Sequence, residues 1–161
     1  MQLNEGEGPE ITVIATYTDG FGSGRTATSQ VYSDRVAPTI AITSDATALN
    51  SDQTATITFT LSEASSDFIQ ADVVVDGGTL TNFVGSGTLY TATFTPDANR
   101  STPATISVSN NKFSDASGNA NADGSDANNS LSLTVDTVLP TLTVTSSAQD
   151  TLIAGQTATI T

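Results

Sequence analysis

Any chemistry in this chain has to be done with oxygen. Its 161 residues include no histidine and no cysteine, which removes the usual neutral-pH general base, the thiolate nucleophile and the two commonest zinc ligands. What remains is 17 Asp and Glu against 4 Lys and Arg, a net charge of −13. Carboxylates and side-chain amides are the ligands of hard cations, and Ca2+ gathers about six to eight such oxygens. Candidate ligands are Asp34, Glu63, Asp67, Asp72, Asp115, Asn119, Asn121, Asp123 and Asp136. Within this set Asn119-Ala120-Asn121-Ala122-Asp123-Gly124 has the N-x-N-x-D-G spacing that opens a calcium loop. Its twelfth position is Ser130 rather than Glu and no helical pattern flanks it, so it does not make an EF-hand, and Asn, Asp and Gly also build ordinary turns.

The same composition excludes other classes. Nucleic acid and anionic membranes need clustered Lys and Arg, and this chain carries the opposite charge. The acids keep such a chain soluble or hold a cation; composition alone leaves both readings open. Ser and Thr abound, but no His or Cys activates them, and Lys112 is the one lysine. Paired carboxylates serve glycoside hydrolysis only in a cleft, and the six Phe and three Tyr fall mostly at core-parity positions. A non-enzyme is expected. No apolar run reaches membrane-spanning length, so membrane insertion is not expected either.

The elements that must position the acids follow from period-two alternation of Thr, Val, Ile and Phe, which predicts an all-β chain. Strands are expected over 10–17, 26–32, 39–44, 54–61, 72–75, 79–83, 90–95, 104–109, 130–135, 142–145 and 157–161. Part of the sequence recurs: Pro38-Thr39-Ile40 returns as Pro140-Thr141-Leu142, a distance of 140 − 38 = 102, and Gln53-Thr54-Ala55-Thr56 returns as Gln156-Thr157-Ala158-Thr159, a distance of 156 − 53 = 103. That period is one small domain. The chain therefore divides into 1–35, the end of a preceding repeat; 36–138, a complete repeat; and 139–161, the start of the next. Seven strands between the two prolines have the count and spacing of an immunoglobulin-like β-sandwich of Greek-key type. With no disulfide and no Trp, its core is expected to be aliphatic with a few Phe.

In Ig order, the start of the first strand, the B–C loop and the F–G loop meet at one pole. That pole receives Asp34 from the linker, Glu63, Asp67 and Asp72 from the B–C segment, and Asp115, Asn119, Asn121 and Asp123 from the F–G loop. Acids so gathered repel one another unless a cation neutralises them. Asp136 stands in the second linker where Asp34 stands in the first. Asp97 or Asn99, at the opposite pole, is placed to reach the next junction beside it.

The string Thr54-Ala55-Thr56-Ile57-Thr58-Phe59-Thr60-Leu61-Ser62-Glu63-Ala64, then Tyr90-Thr91-Ala92-Thr93-Phe94-Thr95-Pro96, then Phe113-Ser114-Asp115-Ala116-Ser117-Gly118-Asn119-Ala120, then Val135-Asp136-Thr137, resembles the bacterial Ig-like repeats of giant RTX-type adhesins. The resemblance implies a type I-secreted protein of the bacterial cell surface. Its extender repeats would bind Ca2+ at their junctions, stiffen, and project an adhesive domain for attachment or biofilm formation. Carried over by position, the ligands are Asp34, Asp136, Glu63, Asp115 and Asn119. Two departures stand out: Ser23 replaces the Asn119 equivalent in the preceding repeat, and Arg35 stands where the second linker has Thr137. The partners implied are neighbouring repeats of the same chain, with strand exchange between half-repeats of different molecules as a further association. A glycan- or protein-binding module, using Phe21, Phe68 or Phe113 as loop aromatics, is the alternative; an accessory domain of a surface enzyme is another.

Overall fold

The computed structural model describes residues 11–18, 20–22, 24–31, 34–145, 154–157 and 159. Two strands, β1 (Ile11–Thr18) and β2 (Gly24–Val31), form an antiparallel hairpin paired from Ile11↔Val31 to Thr18↔Gly24. After the linker come β3 (Ile40–Ser44), β4 (Ala48–Asn50), β5 (Ala55–Ser65), β6 (Val73–Asp76), β7 (Gly78–Pro96), β8 (Ala104–Val108) and β9 (Ser130–Asp136). They make two sheets, ordered β3-β5-β7 and β4-β9-β8-β6. This is the all-β, Ig-like sandwich expected from the alternation.

Alternation places the core between the sheets. In β5, Ala55, Ile57, Phe59 and Leu61 are buried while Thr56 and Thr60 face solvent; in β8, Ala104, Ile106 and Val108 are buried. Each of the Val, Leu, Ile and Phe side chains among them contributes about 1.5–3 kcal/mol on burial. One cluster joins residues of both sheets, from Ile40 and Ile42 to Leu133 and Val135.

Several expectations change. β4 had no counterpart among the predicted strands, yet it pairs in parallel with β9 (Leu49↔Val135) and buries Leu49. The predicted strands 79–83 and 90–95 are the two arms of β7. An extended run of 19 residues would span about 60 Å, but the Asp97 N–H donates to Gly77 O at 3.0 Å and Asn82 Nδ2 to Thr93 Oγ1 at 3.4 Å, so the run folds back. The reversal lies at Gly85 and Gly87, whose φ of 151° and 64° suit glycine, and a side chain at Gly85 would strike Leu89 and Tyr90. Residues 142–145 form no strand, and 157–161 lies largely outside the described residues. Among the described residues no helix is long and apolar enough to cross a membrane.

The core is also more aromatic at one end than expected. Phe68 and Phe113 are 3% and 2% exposed, not loop aromatics on the surface. Phe68 is a hub, its ring centroid 5.2 Å from both Tyr90 and Phe113, 5.5 Å from Phe83 and 5.6 Å from Phe59. Edge-to-face contacts of this kind add to the gain from burial. They fasten the B–C and F–G loops to the sandwich at the pole where the acids gather.

Candidate metal centre

Glu63 follows the inward parity of β5 one step past its last core residue, Leu61, so its side chain emerges at the end of the sandwich rather than on an outer face. Ser62 beside it grips the incoming linker: its N–H donates to Thr39 O at 2.9 Å and its Oγ accepts the Thr39 N–H at 2.9 Å. Pro38 is buried against this end. The chain before it is thereby led past Glu63, and Asp34 turns on itself, its Oδ1 accepting the Val36 N–H at 3.0 Å.

The third acid comes from the F–G loop. A backbone bridge joins Asp115 to Ser65, the last residue of β5. Tyr90 Oη fixes the same place by donating to Ser65 O at 2.8 Å. Asp115 closes its own loop: Oδ1 accepts the N–H groups of Ser117 (2.8 Å) and Asn119 (2.9 Å), and Oδ2 accepts Asn119 Nδ2 (2.7 Å). Gly118, with φ of 85° and open space around it, serves the turn by conformation alone. Asn119 Nδ2 also donates to the Asp34 carbonyl at 3.2 Å, tying loop to linker.

Asp34, Glu63 and Asp115 thus come together from three segments, each offering a carboxylate oxygen within 4.8 Å of the others. The electrostatics differ within the trio. Glu63 is pushed above the ordinary glutamate value, first by loss of solvent, then by the charges of Asp34 and Asp115 and a hydrogen bond shared with Asp34. Asp115 is held below the ordinary aspartate value, chiefly by the Asn119 side-chain amide and further by the backbone donors of its loop. Asp115 is stabilised as an anion, and Glu63 is disfavoured as one by loss of solvent first and by its acidic neighbours second. Oxygens each about 2.4 Å from one calcium ion lie no more than about 4.8 Å apart, a separation the trio meets.

Asn119 stands at the trio through the bonds just given, and the other candidates are placed elsewhere, with oxygens engaged. Asp67 staples the two loops: Oδ1 accepts Ser65 Oγ (2.7 Å) and the Ser114 N–H (2.9 Å), and Oδ2 accepts Ser114 Oγ (2.6 Å). Loss of solvent works against its charge, but these donors prevail and lower its pKa. Asp72 closes a single helical turn through the Ile69 N–H (2.9 Å). Asn121, fully buried, accepts the Lys112 N–H at 2.8 Å and donates to Ser109 O at 3.0 Å. Asp123 Oδ2 accepts the Ile40 N–H at 2.7 Å, joining the F–G loop to the first strand. Asp136 makes the same turn as Asp34, accepting the Val138 N–H at 3.2 Å. No group of three acids forms around Asp136 among the described residues; the loop of Asp97 reaches its neighbour Thr137 through backbone groups instead. Ser23 lies outside the described residues.

A groove of about 430 Å³ lies at the opposite pole, between Asp52 and Gln53, Pro96 and Asn99, and Thr137 and Leu139. The acid trio is therefore on the molecular end face, away from that groove. Sequence reasoning overlooked the parts that position the trio: Ser65, Phe68 and Tyr90. Phe68 and Tyr90 carry the one available signal, large apolar residues flanking a polar loop.

Comparison with curated proteins and with solved structures returns no match. The profile described as bacterial Ig-like domain matches residues 34–134, running from the linker acid Asp34 into β9. With 134 − 34 + 1 = 101 of its 161 residues so matched, the chain belongs to the bacterial Ig-like domain family.

Proposed function

We propose that the chain is a structural extender module of a bacterial cell-surface adhesin, and that Ca2+ at Asp34, Glu63 and Asp115 locks the linker to the module it enters. The observation that carries this reading is the convergence of a linker acid with acids of two different loops within 4.8 Å. A cation there bonds the linker to the B–C and F–G loops at once and offsets both the loss of solvent and the acidic repulsion that raise Glu63. The Asp34 carbonyl is already drawn toward Asn119, and carbonyls and water complete a calcium shell. Family membership supports a surface-associated module; attachment and biofilm formation belong to the protein that carries it. Burial of Phe68 and Phe113 takes away two of the three loop aromatics of the ligand-binding alternative.

Affinity is expected in the class of extracellular modules, roughly 10⁻⁴ to 10⁻³ M. At about 10 mM Ca2+ a site of that affinity stabilises the fold by about 1.4–2.7 kcal/mol, on the order of 10 °C in melting temperature for a domain of this size. Scanning calorimetry in calcium and in chelator measures it. Glu63→Gln sharpens the test because its two effects have opposite signs: it raises the melting temperature in chelator and abolishes the calcium-induced rise. A wild-type melt unmoved by millimolar calcium sinks the proposal.

A further inference from the structure

We infer that Thr137 is a positioning residue, a clamp that fixes the direction in which the chain leaves the module without any cation. Its neighbours in the linker are exposed, Val138 at 51% and Leu139 at 65%, yet Thr137 is 6% exposed. Three hydrogen bonds reach across 37 to 40 residues to hold it. The Thr137 N–H donates to Arg100 O at 2.8 Å, Oγ1 accepts the Arg100 N–H at 2.8 Å, and the hydroxyl donates to Asp97 O at 2.7 Å. Backbone and side chain of one residue are thus both fastened to the loop between β7 and β8.

That loop is itself braced. The Arg100 guanidinium donates to Asp76 Oδ2 at 2.8 Å, at the end of β6, and to the carbonyls of Thr102 and Pro103. The chain leaving β9 is therefore bolted, through Thr137 and Arg100, to a strand two places away in the same sheet. A hydroxyl can donate and accept at once; a guanidinium has no acceptor. Arg35, the counterpart of Thr137 in the first linker, cannot make this clamp, so the two joints are built differently. The Asp34 joint is the one assigned above to a cation; the Asp136 joint is set by hydrogen bonds. Only the presence of a further repeat after Pro140 is taken from the extender reading.

The test uses the full chain, labelled with ¹⁵N, in chelator and in calcium. Steady-state heteronuclear NOEs in chelator are expected to show Val138 as ordered as β9. Thr137→Val, which keeps the shape and removes the hydroxyl, is expected to lose that order from Val138 to Leu142 while β5 and β8 are unchanged, and Thr137→Ser to retain it. Val138 equally ordered in Thr137→Val overturns the inference, as does wild-type order that appears only with calcium. Should Thr137→Val not fold, hydrogen exchange of the wild type decides: the Thr137 and Arg100 amides must be protected like those of β9, and exchange at the rate of an open linker is a refutation. A Val36 amide indifferent to calcium counts against the cation at Asp34 and leaves the clamp standing.

Discussion

Residues 37–43 and 139–145 share a Pro-Thr start and the same order of apolar positions but differ in burial. Ile40 and Ile42 are 1% and 5% exposed; their counterparts Leu142 and Val144 are 87% and 61% exposed. Pro38 is buried, and Pro140 is on the surface. The first copy is a strand because β5 offers it a ladder, with Ile40 opposite Leu61 and Ile42 opposite Phe59. Among the described residues no such ladder forms at residues 142–145. The linkers ahead of the two copies teach the complementary lesson. Asp34 and Asp136 form the same side-chain turn to the N–H two residues on, at 3.0 and 3.2 Å, whatever surrounds them. Local hydrogen bonding repeats with the sequence; strand formation waits for a partner.

The largest test of this contrast is truncation at matched positions. Ile40→Ala opens a cavity in a packed core and is expected to cost about 2–5 kcal/mol, whereas Leu142→Ala is expected to stay within about 0.5 kcal/mol. Urea denaturation of both variants measures the difference, and equal losses would mean that the second copy is packed after all. Next in size is Asp123→Ala. It strips the Ile40 N–H of its partner at a buried position and is expected to cost about 1–3 kcal/mol. A neutral Asp123→Ala would show that the first copy is held by its ladder alone.

The smallest effect is the pH dependence in chelator. Glu63 is raised, so the folded chain holds its proton more firmly than the unfolded chain and stability rises as pH falls through the window just above 4.5. Asp115 and Asp67 are lowered, so the stability they contribute is present at neutral pH and is lost as pH falls below 3.8. The melting temperature is therefore expected to pass through a shallow maximum on acidification, and Glu63→Gln to remove its rising limb. A monotonic fall from pH 7 in the wild type would mean that the Asp34 junction is not strained as described.

Much of the architecture was legible in residue order. The alternation in β5 and β8 marked the core because a pleated strand turns every second side chain inward. Strand β4 was not legible: three residues show no period, and its parallel pairing with β9 is a contact across more than eighty positions. Phe68 was hidden by its polar neighbours Ser65, Ser66 and Asp67, and only the closure of the loop over Phe59 and Phe113 shows it to be core. Of the nine candidate acids and amides, types and spacing put all of them at or near the junctions. Which oxygens meet one another depends on donors that spacing does not reveal, such as the Ile40 N–H that occupies Asp123 and the Ser114 groups that occupy Asp67.

By itself, then, the sequence determined an all-β sandwich and its inward faces, because these depend on side-chain type and on periodicities carried by the backbone. Tertiary structure alone decided that Glu63 and Asp115 turn toward Asp34, that Asp67 and Asp123 join loops and strands, and that Thr137 is clamped. Each of those outcomes depends on which group from a distant part of the chain arrives first within hydrogen-bonding or packing distance, and that is settled by the fold as a whole.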